Sequence, residues 1–234
     1  EAAGGGQAGR CREQYLGGFQ TSYGYSSTSR VLVANGSKLI VNGEAYVGRR
    51  GLGVIDVSNA LFQLNSKFWA SYESGGRTGG NLHSATQTGA AELNLPGSSG
   101  GSADVTVNAK SRLEQLSMSW YSGVGGAGRG TVSVTNSSFI TAGQLTVGGS
   151  GSGTVLLYGG TNIVKNTLYV GTYATGTGTY NLAAGSVLAV TNGYTAYFGY
   201  QGKARITAAN SQIGTYAGQY VGYISNSVGE VNLS

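Results

Sequence analysis

The sequence predicts an all-β protein, a single right-handed parallel β-helix, which is a solenoid with three short strands in each coil. Three observations lead to this prediction: a phrase that returns at a fixed period, alternating apolar pairs inside it, and glycine at its corners. Self-similarity at a fixed period is the signature of a stacked repeat fold. The phrase begins with a glycine, and the residues two and four positions after it are mostly apolar. It occurs at residues 130–134, 153–157, 178–182, 202–206 and 229–233.

Each repeat has three apolar stations. The first is an alternating pair such as Val132 and Val134, which is typical of a strand with one buried face. The second is an apolar residue such as Ile140, and the third is another alternating pair closed by glycine, as at residues 145–148. Because one coil cannot bury its own inward row, we expect coils to stack about 4.8 Å apart, strand upon strand. Parallel crossovers favour the right-handed sense.

The chain divides into an N-terminal arm and the solenoid. Residues 1–29 are rich in Gly, Ser and Tyr, and we expect a partly irregular arm that takes part in assembly, followed by a solenoid domain over residues 30–234. Within the arm, residues 14–17 resemble residues 219–222, which predicts a third station there. The spacing gives roughly eight coils of about 25 residues. The first stations are predicted to end at residues 33, 57, 84, 107, 134, 157, 182, 206 and 233.

Composition narrows the classes of function. The 43 glycines fall beside apolar pairs at fixed offsets, so they indicate corners rather than a low-complexity chain. The single cysteine, Cys11, has no internal disulfide partner, which leaves a free thiol or a bond between chains. The net charge of +5 is spread thinly, and we expect no nucleic-acid partner. No stretch is long and apolar enough to predict a membrane span.

The sequence offers no group of residues for catalysis. The chain contains nine acidic residues, and no two of them recur on neighbouring coils of the first-station face, as paired acid and base chemistry would require. His83 has no second His or Cys at ligand spacing. We therefore expect no enzyme, and no catalytic, cofactor-binding or metal-binding residues.

Tyrosine recurs at the outward position of the third station, in Tyr46, Tyr169, Tyr197 and Tyr220, with Tyr15 at the matching place near the N-terminus. Equivalent residues of stacked coils lie above one another, so these side chains are predicted to form a ladder of rings. Such aromatic pairs stabilise each other by roughly 0.5–1.5 kcal/mol. Two functions fit the ladder: sideways contact with another chain, which we favour, and a platform for sugar rings.

The two ends of the sequence resemble parts of one coil. The last residues read as the opening strand of an unfinished coil, and the segment before Gly17 reads as the close of a coil that was not begun. Two molecules would complete a coil between them, and a contact between unlike ends generates an open filament. The alternative is a fragment of a longer solenoid. The residues expected at the contact are Gln14, Tyr15, Leu16, Gly229, Val231 and Leu233.

The repeated phrase from Gly130 onward resembles the β-helical passenger regions of bacterial autotransporters and related surface adhesins. The resemblance implies secretion, a display or adhesive role, and no cofactor, whereas the high aromatic content favours a free-standing fibre subunit. The predicted function is an extracellular or cell-surface structural subunit that assembles head to tail into a filament. Its partners would be copies of itself and a surface polysaccharide. The alternative prediction is a surface adhesin or carbohydrate-binding β-helix.

Overall fold

A computed structural model describes most of the chain as strands and corners. In this part of the chain 27 strands and no helix are found. The described residues are 13–16, 19–20, 28–72, 75–90, 92–96, 100–115, 121–125 and 127–234.

The strands follow one another at short intervals. The first nine are β1 (Glu13–Leu16), β2 (Phe19–Gln20), β3 (Thr28–Ala34), β4 (Lys38–Val41), β5 (Ala45–Val47), β6 (Leu52–Ser58), β7 (Leu61–Leu64), β8 (Lys67–Ala70) and β9 (Arg77–His83). The next nine are β10 (Thr86–Ala90), β11 (Glu92–Leu95), β12 (Ser102–Asn108), β13 (Arg112–Gln115), β14 (Tyr121–Val124), β15 (Arg129–Thr135), β16 (Ser138–Thr141), β17 (Gln144–Val147) and β18 (Ser152–Tyr158). The last nine are β19 (Thr161–Val164), β20 (Leu168–Val170), β21 (Thr177–Ala183), β22 (Val187–Val190), β23 (Thr195–Phe198), β24 (Lys203–Ala208), β25 (Gln212–Thr215), β26 (Gly218–Val221) and β27 (Val228–Leu233).

Every third strand belongs to the same sheet, so the chain builds three nine-stranded parallel sheets. Sheet A runs from β1 to β25, sheet B from β2 to β26 and sheet C from β3 to β27. Counted from sheet C, each coil takes one strand from sheet C, one from sheet A and one from sheet B. The predicted β-solenoid, with three strands per coil and roughly eight coils of about 25 residues, is confirmed.

The core is the inside of the solenoid. In β15 the residues Gly130, Val132 and Val134 are buried while Thr131 and Ser133 between them are half-buried, as a strand with one inward face requires. The same inward positions pair from coil to coil, with Val132 opposite Val155 and Val134 opposite Leu157, so mostly apolar residues lie above one another in continuous columns. Fully burying such a side chain contributes about 1.5–3 kcal/mol, and the columns are therefore the main source of stability.

A hydrogen-bonded polar pair, Tyr180 and Asn162, lies inside this apolar core. The hydroxyl of the fully buried Tyr180 donates to Oδ1 of Asn162 at 2.9 Å, and Nδ2 of Asn162 donates to the carbonyl of Phe139 at 2.9 Å. Burial raises the pKa of Tyr180, which keeps the phenol neutral. Because each buried group has a partner, the pair links three coils without a desolvation penalty for an unpaired group.

Two first-station ends differ from the predicted positions. The predictions at residues 84 and 206 are wrong by two residues, since Leu82 and Ala208 occupy those places in the columns. In β24 the position of the repeated glycine is taken by Ala204, which pairs with Gly178, so the phrase that begins at Gly202 is two residues out of alignment. A small residue suffices at this position, so the position of glycine alone does not determine where the repeat begins.

The predicted third station at Gln14, Tyr15 and Leu16 is also wrong. These residues form β1, which pairs with β4 in sheet A, the second station, with Tyr15 opposite Ile40. The third station is taken by β2, in which Gln20 pairs with Tyr46, so Tyr15 is outside the column of Tyr46. A short alternating segment fits any of the three sheets. Among the described residues, strand pairing is already present at Glu13, ahead of the boundary predicted at residue 30.

Glycines at the end of sheet B strands make room for the next coil. A Cβ built on these residues would lie only 2.0–2.4 Å from the carbonyl oxygen of the first residue of the second sheet C strand that follows along the chain. At Gly148, with φ of +69°, this oxygen belongs to Thr177, 2.1 Å away. We call these residues the notch glycines: Gly48, Gly125, Gly148, Gly171 and Gly199.

The notch predicts a steric effect that can be separated from backbone strain. Gly148→Ala should lower the free energy of unfolding by about 1–2 kcal/mol for its positive φ and by a further ~1–3 kcal/mol for overpacking. Gly193→Ala is the matched control, because Gly193 has φ of +76° and no atom within 4 Å of the built Cβ. Urea denaturation of both variants measures the difference. Equal losses in the two variants would contradict the notch.

Candidate functional site

The described residues contain no cluster of metal-ligating groups: no three His, Cys, Asp or Glu side chains come together to hold an ion. Nδ1 of His83 lies 3.0 Å from Oδ1 of Asn108. Asp56 pairs in sheet C with Asn81, two residues before His83. Within the same part of the chain, no helix has the length and apolar character needed to cross a membrane.

Three predicted ladder residues form one stack. The rings of Tyr169 on β20 and Tyr197 on β23 lie 5.1 Å apart at an interplanar angle of 7°, and those of Tyr197 and Tyr220 on β26 lie 5.2 Å apart at 11°. Sheet pairing places these residues directly opposite one another. The ring separation is close to the spacing of neighbouring strands, about 4.8 Å, so the stack follows directly from the pairing.

A second row of rings lines this stack. Tyr200 and Tyr223 lie just beyond the closing glycines of β23 and β26, with their rings 5.4 Å apart at 13°. Both rows meet edge to face, as in the pair Tyr197–Tyr223 at 5.0 Å and 72°. We call the five residues the tyrosine ladder: Tyr169, Tyr197, Tyr200, Tyr220 and Tyr223.

Stacking decides what the ladder presents to a partner. Each ring in a row covers a face of the next, which leaves mainly ring edges and hydroxyl groups for contact with another molecule. Burial, together with the neighbouring tyrosines, raises the pKa values of Tyr169 and Tyr197, so these phenols are neutral at physiological pH. Tyr220 and Tyr223 at the C-terminal end are 47% and 49% exposed, and the ladder is therefore most accessible there.

Tyr46 belongs to a different cluster. Its ring lies 6.4 Å from that of Trp69 at 7°, and the ring of Tyr72 meets both edge to face, at 4.9 and 5.2 Å. Cζ of Arg49 lies 5.6 Å from the ring centres of Tyr46 and Tyr72, and Nζ of Lys67 lies 5.7 Å from that of Trp69. We call these five residues the N-terminal aromatic cluster. Cations over ring faces distinguish this cluster from the tyrosine ladder, for which no such contact is found among the described residues.

Small and polar residues separate the two aromatic surfaces. Asn94, Gly123 and Thr146 occupy the same column of sheet B between Trp69 and Tyr169, and all three are buried. The tyrosine pattern alone therefore missed the grouping of Tyr46 with Trp69 and Tyr72. The alternation of Trp69 with the buried Phe68 in β8 was the available signal.

The edges of the last three strands, β25, β26 and β27, are uncovered in the structure. Three of the residues predicted for assembly, Gly229, Val231 and Leu233, lie in β27 at the edge of sheet C, where Val231 is half-buried and Leu233 is 71% exposed. One coil earlier, Ile206 in the column of Val231 is fully buried. A cavity of about 750 Å³ opens between the last strands. Residues of all three sheets or their corners line it, among them Ser211, Ile213, Gln219, Val231 and Leu233.

The other predicted assembly residues lie at the opposite end. Gln14, Tyr15 and Leu16 form the edge strand of sheet A, and their side chains lie outside the described part of the structure. The two predicted halves of the contact thus occupy opposite ends of the solenoid, as a head-to-tail contact requires.

No family model matches the chain, and comparisons with curated proteins and with solved structures also give no match. The resemblance of the repeat to autotransporter passengers therefore stays a prediction.

The N-terminal aromatic cluster predicts an unusual tyrosine titration. The Tyr46 hydroxyl donates to the Glu44 carboxylate, and this hydrogen bond, followed by burial, raises the pKa of Tyr46 to about 12. Glu44→Gln should lower the pKa of Tyr46 towards 10, the usual value for tyrosine. Phenolate absorbance, taken as the difference between each protein and its Tyr46→Phe variant, measures the pKa.

The same shift makes stability depend on pH at high pH. Because the unfolded phenol ionises near pH 10 and the folded one near pH 12, the stabilising contribution of Tyr46 is complete below pH 10. It is lost as the pH rises from about 10 through about 12. An unchanged Tyr46 pKa in Glu44→Gln would contradict the assignment to the hydrogen bond.

Proposed function

We propose that this chain is an extracellular structural subunit that assembles head to tail into a filament or surface fibre. The observation that carries the proposal is the end face of the last coil, where the edges of three parallel sheets surround an open, partly apolar cavity. Unpaired strand edges are templates for the strands of another chain. The secreted location is supported by the resemblance of the repeat to surface proteins.

A further coil would bury side chains that are uncovered now. Ile213, Val231 and Leu233 are the incompletely buried apolar side chains at the cavity. Complete burial contributes roughly 1.5–3 kcal/mol for each such side chain, whereas association costs about 4–15 kcal/mol in lost freedom. The side chains alone offset only the lower part of that cost. Main-chain hydrogen bonds along all three sheets supply the rest of the binding free energy. The partner must therefore itself present the strands of a β-coil.

A second copy of the chain offers such a coil. In the stacked arrangement β27 of one copy provides the first station of a coil, and β1 and β2 of the next copy provide the second and third stations. The corrected position of β1 in sheet A fits this division. Because the two ends are unlike, the contact does not close on itself and repeats along an axis.

The tyrosine ladder is the proposed surface for sideways contact between filaments. Its rings already stack on one another, so a partner meets hydroxyl groups and ring edges rather than free ring faces. Such a surface suits hydrogen bonding and edge-to-face contact with the same ladder of a neighbouring filament better than stacking with sugar rings.

A charge at the end face tests the head-to-tail contact. Leu233→Asp should raise the protein concentration needed for filaments at least tenfold (about 1.4 kcal/mol), because the carboxylate would be buried in the stack. The single subunit should keep its thermal unfolding, since Leu233 is 71% exposed. Negative-stain imaging and sedimentation measure assembly.

Val228→Asp is the matched control. Val228 opens the same strand, is 52% exposed and pairs with Lys203, so a carboxylate there adds the same charge beside a cation and outside the cavity. This variant should assemble like the unmodified chain. A 234-residue chain that stays monomeric at all concentrations, or equal assembly of both variants, overturns the proposal.

Binding of an acidic polysaccharide is the second candidate function, and the N-terminal aromatic cluster favours it. Arg49 and Lys67 lie over aromatic rings there, and this combination of cations with aromatic surface suits an anionic sugar chain. The function would be that of a surface adhesin. The polysaccharide would bind a part of sheet B that is separate from the tyrosine ladder.

One pair of variants distinguishes the two surfaces, each serving as the control for the other. Replacing Tyr169, Tyr197 and Tyr220 together by Ser should reduce bundling of filaments and leave retention on immobilised acidic polysaccharide unchanged. Replacing Arg49 and Lys67 together by Ser should lower that retention roughly five- to tenfold, about 1 kcal/mol or more, and leave bundling unchanged. If the unmodified chain is not retained, the second candidate is wrong. If the tyrosine variant bundles normally, the ladder is not the lateral contact.

A further inference from the structure

We propose that the second copy docks in unbroken register, so that β3 of the incoming copy continues the columns of sheet C and Arg30 lies beside Glu230. This rests on the proposed head-to-tail assembly and specifies its partner surface. Three features of the two ends point to this alignment: charges, inward apolar residues and a vacant glycine notch.

The charges complement one another along one outward column. Residue-by-residue pairing in sheet C runs from Arg30, opposite Val54 in β6, to Glu230, opposite Arg205 in β24. Arg30 and Glu230 are therefore the two end members of the same column. A further coil in unbroken register places the arginine of one copy directly beside the glutamate of the other.

Both residues already belong to charge pairs that the junction would join. Nε of Arg30 lies 2.5 Å from Oδ2 of Asp56, and Nε of Arg205 lies 3.8 Å from Oε2 of Glu230. Across the junction the order becomes Asp56, Arg30, Glu230, Arg205, with alternating sign. The guanidinium of Arg30 has five N–H donors and can serve a carboxylate on each side. A shift of two residues would place Glu230 beside Thr28 or Leu32 and lose this alternation.

The inward columns end at matching residues. Val31 and Val231 are the first and last members of one column, and Val33 and Leu233 those of the next. Within the first column the intermediate Val132 is fully buried, whereas Val31 and Val231 are only half-buried. The same column thus lacks complete cover at both ends, and unbroken register lets each end cover the other.

The notch glycines supply an independent observation. At each of the five notch glycines, the notch is filled by the carbonyl of the first residue of the second sheet C strand that follows, for example by Val228 at Gly199, 2.4 Å from the built Cβ. Gly222 closes the last strand of sheet B with φ of +66°, yet the nearest atoms to its built Cβ lie 3.9 Å away. Thr28 begins the column in which Val228 is the last member. Unbroken register therefore places the carbonyl of the incoming Thr28 in the vacant notch of Gly222.

Disulfide cross-linking tests this register. Leu32 and Asn232, both exposed, are the end members of another outward column. In the Cys11→Ser background, Leu32→Cys with Asn232→Cys would bring two Cα atoms to about 4.8 Å across the junction, within the range that a disulfide bridges. Oxidation by dissolved oxygen with copper phenanthroline should give a ladder of dimers, trimers and longer species on a non-reducing gel.

The control pair is Leu32→Cys with Val228→Cys. These positions lie four residues apart along the strand direction, about 13 Å, beyond the reach of a disulfide, and should cross-link at least tenfold less. Each single-cysteine variant should give dimers at most.

The outcomes separate the register from the assembly itself. Filaments in electron micrographs together with preferential cross-linking of the first pair support the proposal. Filaments without that cross-link, or with cross-linking of the control pair instead, overturn the register and leave head-to-tail assembly standing. The absence of both filaments and cross-links overturns the assembly proposal and the register with it.

Discussion

Parallel pairing between successive coils, at an almost constant alignment, is the interaction on which the structure depends. It places valine above valine inside the solenoid and tyrosine above tyrosine outside it. At the corners it brings a carbonyl group into each notch glycine. A single coil has no partner for its strand edges and no cover for its inward row, so stability belongs to the stack and not to any one coil.

Because the alignment is constant, differences between successive repeats in the sequence become differences along the axis of the solenoid. The outward column of sheet B is aromatic at Tyr46 and Trp69, small or polar at the three following strands, and tyrosine from Tyr169 onward. Arg49 and Lys67 lie over rings of the first aromatic region. Two surfaces of different chemistry therefore lie on one sheet, which is why the two candidate functions have separate places on the molecule.

The fold was predictable from the sequence because its signal is the repetition of a pattern and not the strength of any one strand. The predicted ends of the first stations were wrong where a residue of the pattern is replaced. Ala204 takes the place of glycine in β24, and in β9, which has few apolar residues, the first station was predicted to end at residue 84 instead of at Leu82. Gln14, Tyr15 and Leu16 were assigned to the wrong sheet, since a short alternating segment does not specify its sheet. The ladder of Tyr169, Tyr197 and Tyr220 follows from strand alternation. The position of Arg49 depends on corner geometry, which no periodicity encodes.

End contact and lateral contact differ in what they specify. Pairing at the end face has a direction and a register, because a shift of one residue turns every inward side chain outward and a shift of two separates Arg30 from Glu230. The tyrosine ladder repeats the same group at each coil, so two ladders in contact fit nearly as well after a shift of one coil. In the proposed fibre the end face therefore determines the order and polarity of the subunits, and lateral contact only bundles filaments that have already formed.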